Sequence, residues 1–262
     1  MTPPVALSIA GSDSGGCAGI QADLRTFAAM GVLGTTALTA VTAQNSTEVR
    51  AIHALPASLV RAQVEAVIDD MDVGGAKTGL LGNEEIVAEV AALACRLPPL
   101  VVDPVMVATS GRLLTDEATI AACRALLFPL AAVVTPNLQE AGALLGVELA
   151  TLGDARLAAR RLGELAPVVV VKGGHLADPT LAVDVVWDGG NCWEISRPRI
   201  RTDNTHGSGC TFSAAIAAGF ALGLGTKEAI ERANAFVNRA LEGSSAWHVG
   251  RGPGPLDHFG WG

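Results

Sequence analysis

The chain of 262 residues contains no Tyr and only six Phe and four Trp. Stacked aromatic platforms that grip single-stranded nucleic acid are hard to build from that set. Charge is also scarce: 17% of residues are charged, and 26 acidic against 18 basic side chains leave a net charge of −8 with no Lys/Arg cluster. A basic face for a duplex is therefore lacking, and no nucleic-acid partner is expected. Met1-Thr2-Pro3-Pro4 supplies no positive n-region of a secretory signal. The five Cys are never closer than 18 positions, and neither C-x-x-C nor H-E-x-x-H occurs. Neither a disulfide framework nor a structural zinc site is indicated, and the chain reads as a soluble, cytoplasmic protein. The longest uncharged stretch, Thr26–Thr47, has the length of a bilayer span, but its Thr residues, two Gly, Gln44, Asn45 and Ser46 read as helix end, turn, strand and loop. No membrane partner is expected.

Apolar residues make up 50% of the chain, and they fall in short runs separated by amphipathic segments. The runs are Val5–Ala10, Thr36–Val41, Val73–Lys77, Leu100–Asp103, Ala131–Thr135, Val168–Lys172 and Ala182–Trp187. Rich in Val, Ile and Leu and without polar alternation, they predict strands covered on both faces. Between them, Pro56–Met71 carries apolar residues at 59, 60, 64, 67, 68 and 71, one face of a helix opened by Pro56. Asn83 with Glu84 and Glu85 marks another helix start, and Asp116, Asn137 and Asp154 are further candidates. A last helix is expected from about Thr226, with Glu228 and Arg232 paired at i,i+4. Trp187–Ile200, with Asp188-Gly189-Gly190-Asn191 in its middle, is a hairpin signal. The β-α alternation predicts an α/β fold: one domain over residues 1–262, a doubly wound, mostly parallel sheet with helices on both faces. In such sheets ligands bind beyond the carboxyl ends of the strands, where this chain is polar and Gly-rich.

Asn204-Thr205-His206-Gly207-Ser208-Gly209-Cys210-Thr211 opens a helix of small residues. Glycines allow close backbone approach and the helix start offers unpaired N–H groups, so the segment is either an anion hole for a phosphoryl group or a turn capping a buried helix. Cys210, at that helix start, is expected to have a lowered pKa and to act as a base towards an alcohol; the alternative is a small buried hydrophobe. Lys172, ending a Val run before Gly173-Gly174, is a point charge for nucleotide phosphates or a solvated strand-end Lys. Asn137-Leu138-Gln139-Glu140 is a capping box, whose Glu140 is also a candidate Mg²⁺ ligand. Asp103 ends a buried strand and needs a partner, with a hydrated Mg²⁺ one candidate. The loop Gly11–Gly19 leads to Asp23 inside the next helix, and the amide of Gln44 can both donate to and accept from a nitrogen ring.

Six segments occur in order: Ala10-Gly11-Ser12-Asp13-Ser14-Gly15-Gly16, Thr42-Ala43-Gln44-Asn45, Asp103-Pro104-Val105-Met106-Val107-Ala108-Thr109-Ser110-Gly111, Thr135-Pro136-Asn137-Leu138-x-Glu140, Val171-Lys172-Gly173-Gly174-His175 and Asn204-Thr205-His206-Gly207-x-Gly209-Cys210-Thr211. Together they resemble the hydroxymethylpyrimidine/phosphomethylpyrimidine kinase family of the ribokinase superfamily, over about Val5 to Phe259. The resemblance implies a ribokinase-like fold, ATP and Mg²⁺ as cofactors, and a homodimer. It also implies two phosphorylations of an aminopyrimidine bearing a hydroxymethyl group, first to the monophosphate and then to the diphosphate. It implies that Gly207, Gly209 and Cys210 form the anion hole, with Cys210 as base, and that Lys172 contacts nucleotide phosphate. Glu140, with Asp103, is tied to the metal, and Asn137 and Thr205 lie with the nucleotide. Gln44, Asp23, Gly11, Val107 and Leu80 would form the substrate pocket with Cys210. Leu80 stands where the family has Met, Ser208 where it has Thr, and Arg201-Thr202-Asp203-Asn204 where it has Asp-Thr-Lys-Asn, which relocates charge beside the nucleotide. Two other readings are a pyridoxal kinase and a non-catalytic ligand-sensing module.

Overall fold

The computed structural model describes residues 2–108, 111–174, 176 and 178–262. Thr109, Ser110 and His175 of the quoted motifs lie outside the described residues. In chain order the strands are β1 (Val5–Asp13), β2 (Leu33–Gln44), β3 (Val49–Ala54), β4 (Val73–Thr78), β5 (Leu100–Val102), β6 (Val133–Val134), β7 (Val168–Val171), β8 (Leu181–Asp188) and β9 (Asn191–Pro198). The helices are α1 (Gly19–Ala29), α2 (Ala57–Ile68), α3 (Glu84–Leu93), α4 (Glu117–Ala122), α5 (Leu138–Leu145), α6 (Leu152–Leu162), α7 (Ser208–Ala221) and α8 (Thr226–Gly243).

Among the described residues the strands form one sheet in the order β3-β2-β1-β4-β5-β6-β7-β8-β9. Its centre, from β2 to β7, is parallel, and β3, β8 and β9 are antiparallel additions at the edges. Adjacent residues on a central strand point to opposite faces. Leu100 and Val102 accordingly join the core beneath α2, α3, α5 and α6, while Val101 joins the one beneath α1, α7 and α8. Two buried faces explain the uninterrupted Val runs. The β8–β9 hairpin turns at Gly189-Gly190, both with positive φ, as the sequence signal implied.

Three local expectations need correcting. Val49–Ala54 forms a strand that its polar, alternating sequence concealed: β3 is an edge strand with Arg50 and His53 on it. Asp154 is not the cap of its helix but the third residue inside, closing a capping box with Thr151. In α8 the ion pair joins Lys227 to Glu231, not Glu228 to Arg232. Asn83, Asp116 and Asn137 do cap their helices, each through its side-chain oxygen. Helix α2 starts after Pro56 and buries Val60 and Val64 but leaves Leu59 and Met71 outside. Among the described residues no helix is long and apolar enough to cross a membrane.

Helix α7 positions the site because it lies hard against the sheet. A Cβ on Gly75 of β4 would meet the Ala217 carbonyl oxygen at 2.1 Å, so the Gly74-Gly75 pair and the small side chains of α7 permit an approach that larger residues forbid. This close fit carries the start of α7 to the carboxyl end of the parallel strands.

Candidate active site

The loops after β1, β4, β5, β6 and β7 meet the start of α7 around a cavity of about 860 Å³. Helix α7 begins at Gly207, whose φ of +87° is left-handed and whose Cβ would sit 2.0 Å from the Cys17 carbonyl oxygen. Only Gly makes that turn without strain. The Ser208 amide bonds to the Thr205 carbonyl, and Thr211 N–H to the Gly207 carbonyl. Helix geometry then leaves the Gly209 and Cys210 amides without an intrahelical acceptor, at the positive end of a 14-residue helix.

Lys172 leaves β7 with its amide bonded to the Pro136 carbonyl, and its side chain is 15% exposed. Its Nζ lies 3.1 Å from Asp103 Oδ1, and a Cβ on Gly209 would be 3.2 Å from it. Asp103 therefore has a protein partner for its charge, together with Ser213 Oγ at 3.3 Å from Oδ2 and Thr135 Oγ1 at 3.4 Å from Oδ1. Glu140 does close the capping box: its Oε2 accepts from the Asn137 amide at 2.7 Å while Asn137 Oδ1 accepts from the Glu140 amide. It also lines the cavity. Burial raises the Glu140 pKa to about 7; Lys172 opposes that and the neighbouring Asp103 adds to it. Burial pulls Lys172 down, but Asp103 and Glu140 outweigh it and hold the ammonium charged. Once Glu140 ionises, two carboxylates lie near one lysine, which leaves an excess negative charge at the mouth of an anion hole.

Cys210 faces the cavity beside Gly209. The expected low thiol pKa is corrected: burial pushes it up to about 11, with Lys77 opposing and Asp23 and Asp103 adding to the rise. The helix start is outweighed because the sulfur has little water and several charged neighbours from other elements. Asp23 is also corrected. It is fully enclosed, accepts from Ser8 Oγ and pairs with buried Lys77, whose Nζ is 3.1 Å from both carboxylate oxygens. Asp23 therefore lies beneath the cavity wall instead of lining it. Lys77 was not singled out in the sequence, although a Lys ending a buried strand is a signal of the same kind as Lys172.

At the other end of the cavity are Gly11, Leu80, Val107 and Gln44, all four lining it as expected. Asn137, Thr205 and Arg201 line it as well. Two residues quoted only within motifs, Asp13 and His206, prove to be neighbours. Asp13 Oδ1 accepts from the Gly15 amide and Oδ2 from the Cys17 and Ala18 amides, folding the loop back on itself. His206 Nε2 is 3.3 Å from Asp13 Oδ2 and 3.1 Å from the Gln44 amide. The Gly250–Gly262 segment lies behind this wall, not over the cavity. The Gly254 carbonyl accepts from the His206 amide, and His258 Nε2 is 2.9 Å from Thr211 Oγ1.

The model of the phosphomethylpyrimidine kinase family matches residues 13–257. A hydroxymethylpyrimidine/phosphomethylpyrimidine kinase of Synechococcus elongatus is 47% identical over 99% of this chain and 98% of its own. Among solved structures, the ADP complex of a Bacillus subtilis pyridoxal kinase superposes with a TM-score of 0.89 at 38% identity, covering 98% of each chain. A phosphomethylpyrimidine kinase of Clostridium difficile superposes with a TM-score of 0.79 at 35% identity, over 90% of this chain and 99% of its own.

Proposed function

The chain belongs to the phosphomethylpyrimidine kinase family, and from that membership we infer that it is an ATP-dependent phosphotransferase. It acts on 4-amino-5-hydroxymethyl-2-methylpyrimidine and on its monophosphate, in thiamin biosynthesis. The observation that carries this reading is the convergence of Lys172 on the start of α7, with Nζ 3.2 Å from where a Gly209 Cβ would be. Amides of Gly209 and Cys210 and the Lys172 ammonium point at the place where charge develops on a phosphoryl group in flight.

The roles proposed for the side chains follow from their positions. Lys172 and the Gly207–Cys210 turn hold the transferred phosphoryl group, and Asn137 and Thr205 flank the nucleotide. Cys210 takes the proton of the hydroxymethyl group; Gln44, Gly11, Val107 and Leu80 hold the ring. Asp103 and Glu140 fit a divalent cation by the chemistry of the donor set: two neighbouring carboxylates with a single lysine near them attract one. Mg²⁺ bound there would neutralise phosphate charge. A single kinase domain over residues 1–262, a homodimer and a cytoplasmic setting are proposed with it. The first is supported by the one continuous sheet, the second by exposed Leu33 and Val41 on β2.

Likeness to the B. subtilis pyridoxal kinase supports a second reading, phosphorylation of pyridoxal at the same site. ADP release with Mg²⁺-ATP separates the two when run with the hydroxymethylpyrimidine, its monophosphate, pyridoxal and no substrate. Turnover with both pyrimidines and little with pyridoxal is expected. Turnover with pyridoxal alone would replace the first reading by the second, and none from folded protein would leave a ligand-sensing module.

A further inference from the structure

The hydrogen bonds around Gln44 hold more information than its position. Its backbone is fixed by Ser14, whose Oγ donates to the Gln44 carbonyl and accepts from its amide, both at 2.8 Å. The end of the side chain lies between Thr42 Oγ1 at 3.3 Å and His206 Nε2 at 3.1 Å. Which of its two terminal atoms faces which neighbour is decided by counting protons, since nitrogen and oxygen of an amide are otherwise interchangeable.

Asp13 decides the histidine side. Burial alone would raise its pKa, but His206 and the amides of Ala18 and Gly15 outweigh it and lower it, so the carboxylate is ionised and only accepts. His206 Nε2, 3.3 Å from Asp13 Oδ2, must then carry a proton. A protonated Nε2 has no lone pair to offer the Gln44 NH₂, so the atom facing it is the Gln44 carbonyl oxygen, and the proton is shared between two acceptors. Thr42 accommodates that orientation without imposing it, because its hydroxyl can turn its one proton to the Ser12 carbonyl or to Gln44. With that proton on the Ser12 carbonyl at 2.9 Å, Oγ1 is left to accept. Once His206 has taken the carbonyl, the NH₂ of Gln44 faces Thr42 Oγ1 as its donor.

We propose that His206, held by Asp13, sets the rotation of the Gln44 amide and with it the order of donor and acceptor read on the substrate. His206 and Asp13 are positioning residues for specificity. With the carbonyl taken up by His206 and one NH₂ proton by Thr42, the amide offers the cavity a proton on the Thr42 side and a lone pair on the His206 side. An aminopyrimidine edge matches only one way round: ring nitrogen towards Thr42, exocyclic amino group towards His206. A pyrimidinone, with ring N–H and C=O in those two places, meets donor against donor and acceptor against acceptor. The inference rests on the pyrimidine reading for its substrate but not for the amide itself.

Two measurements test it. In ¹⁵N-histidine-labelled protein without ligand, the His206 ring, assigned by its loss in His206→Ala, is expected to carry a proton on Nε2. An unprotonated Nε2 would overturn the proposal whatever the substrate. In turnover, wild type is expected to prefer the amino compound to its 4-oxo analogue by at least about 100-fold in kcat/KM, because a mismatched buried polar group is rejected strongly. His206→Ala frees the amide to rotate and is expected to bring that ratio below about tenfold. Equal loss on both compounds with the ratio unchanged would reduce His206 to packing and overturn the proposal. If wild type turns over neither compound, the pyrimidine reading fails, and the Nε2 proton still decides the orientation of Gln44.

Discussion

The two ends of the cavity are built on opposite principles. At the phosphate end, Asp103 and Glu140 lie near Lys172, and once Glu140 ionises the arrangement carries more negative charge than its own cation offsets. At the substrate end, Asp13, His206 and Thr42 hold the Gln44 amide in a hydrogen-bonded set that leaves one of its protons and one lone pair to the cavity. The first is unfinished without a cation and a polyphosphate, whereas the second has its donors and acceptors ordered before substrate arrives. Transfer of a phosphoryl group needs strong, preorganised charge that a ligand completes. Discrimination between similar rings needs a fixed order of donors and acceptors. Cys210 sits between the two, because its surroundings combine Lys77 and Asp23 beneath the cavity wall with Asp103 of the phosphate end.

The largest effect is expected at that junction. Cys210→Ala should slow the first phosphorylation by about 10²- to 10⁴-fold, the range of a positioned base. The second step should fall by less than about tenfold, since a phosphate monoester with a second pKa of about 6 is already ionised. With the thiol held at about 11, the thiolate is a small fraction at neutral pH and grows with pH. The first step should thus accelerate about tenfold per unit from pH 7 to 9, whereas the second should not. Equal losses in both steps and a flat pH profile for the first would make Cys210 part of the packing.

Lys172→Met comes next and acts on the phosphate end alone. It should lower kcat/KM for both steps by about 10²- to 10³-fold, as removal of one preorganised donor does. It should leave the preference between amino and oxo pyrimidines untouched. A changed preference would show that the two ends are coupled.

Glu140 gives a smaller effect with a definite sign. Its pKa is held at about 7 when folded, against an ordinary 4.5, so the folded chain binds this proton more tightly than the unfolded one. The resulting stability is full below the unfolded value and is lost as pH rises through about 7. Denaturant melts of the ligand-free protein should weaken between pH 5 and 8 by about 1–3 kcal/mol from this group. Glu140→Gln should flatten that dependence and raise KM for Mg²⁺-ATP. An unchanged pH dependence in the variant would place the charge excess elsewhere.

Much of this was legible in the sequence where the cause is local. Asn137 and Glu140 are three residues apart, so their capping box was written in the chain itself, and the Val runs declared a sheet covered on both faces. The glycines around Ser208 likewise marked the turn into α7. What escaped depends on partners distant in sequence. Asp23 looked like a pocket residue because Lys77, 54 positions away, is what encloses it. The helix start alone makes the Cys210 thiol acidic, but loss of water reverses the sign, with Asp23 and Asp103 on other elements adding to the rise and Lys77 opposing it. Nothing local in the sequence gives His206 a role, since only folding brings it to Gln44, 162 residues earlier. Strand β3 was hidden because an edge strand exposes one side and need not be apolar.

The smallest effect concerns the apolar wall and bears most directly on what the substrate end reads. Leu80 is buried, lines the cavity and packs over Gly11, whose Cβ would meet Leu80 Cδ2 at 3.2 Å. Leu80→Met conserves volume, and such swaps cost less than about 1.5 kcal/mol. KM for the pyrimidine should therefore move by less than about tenfold, with kcat unchanged because a wall contact is the same in ground and transition states. The amino-to-oxo preference should stay as in wild type, since no donor or acceptor has been altered. If Leu80→Met instead shifts that preference as far as His206→Ala does, cavity shape selects the ring, and the hydrogen-bond order at Gln44 merely accompanies it.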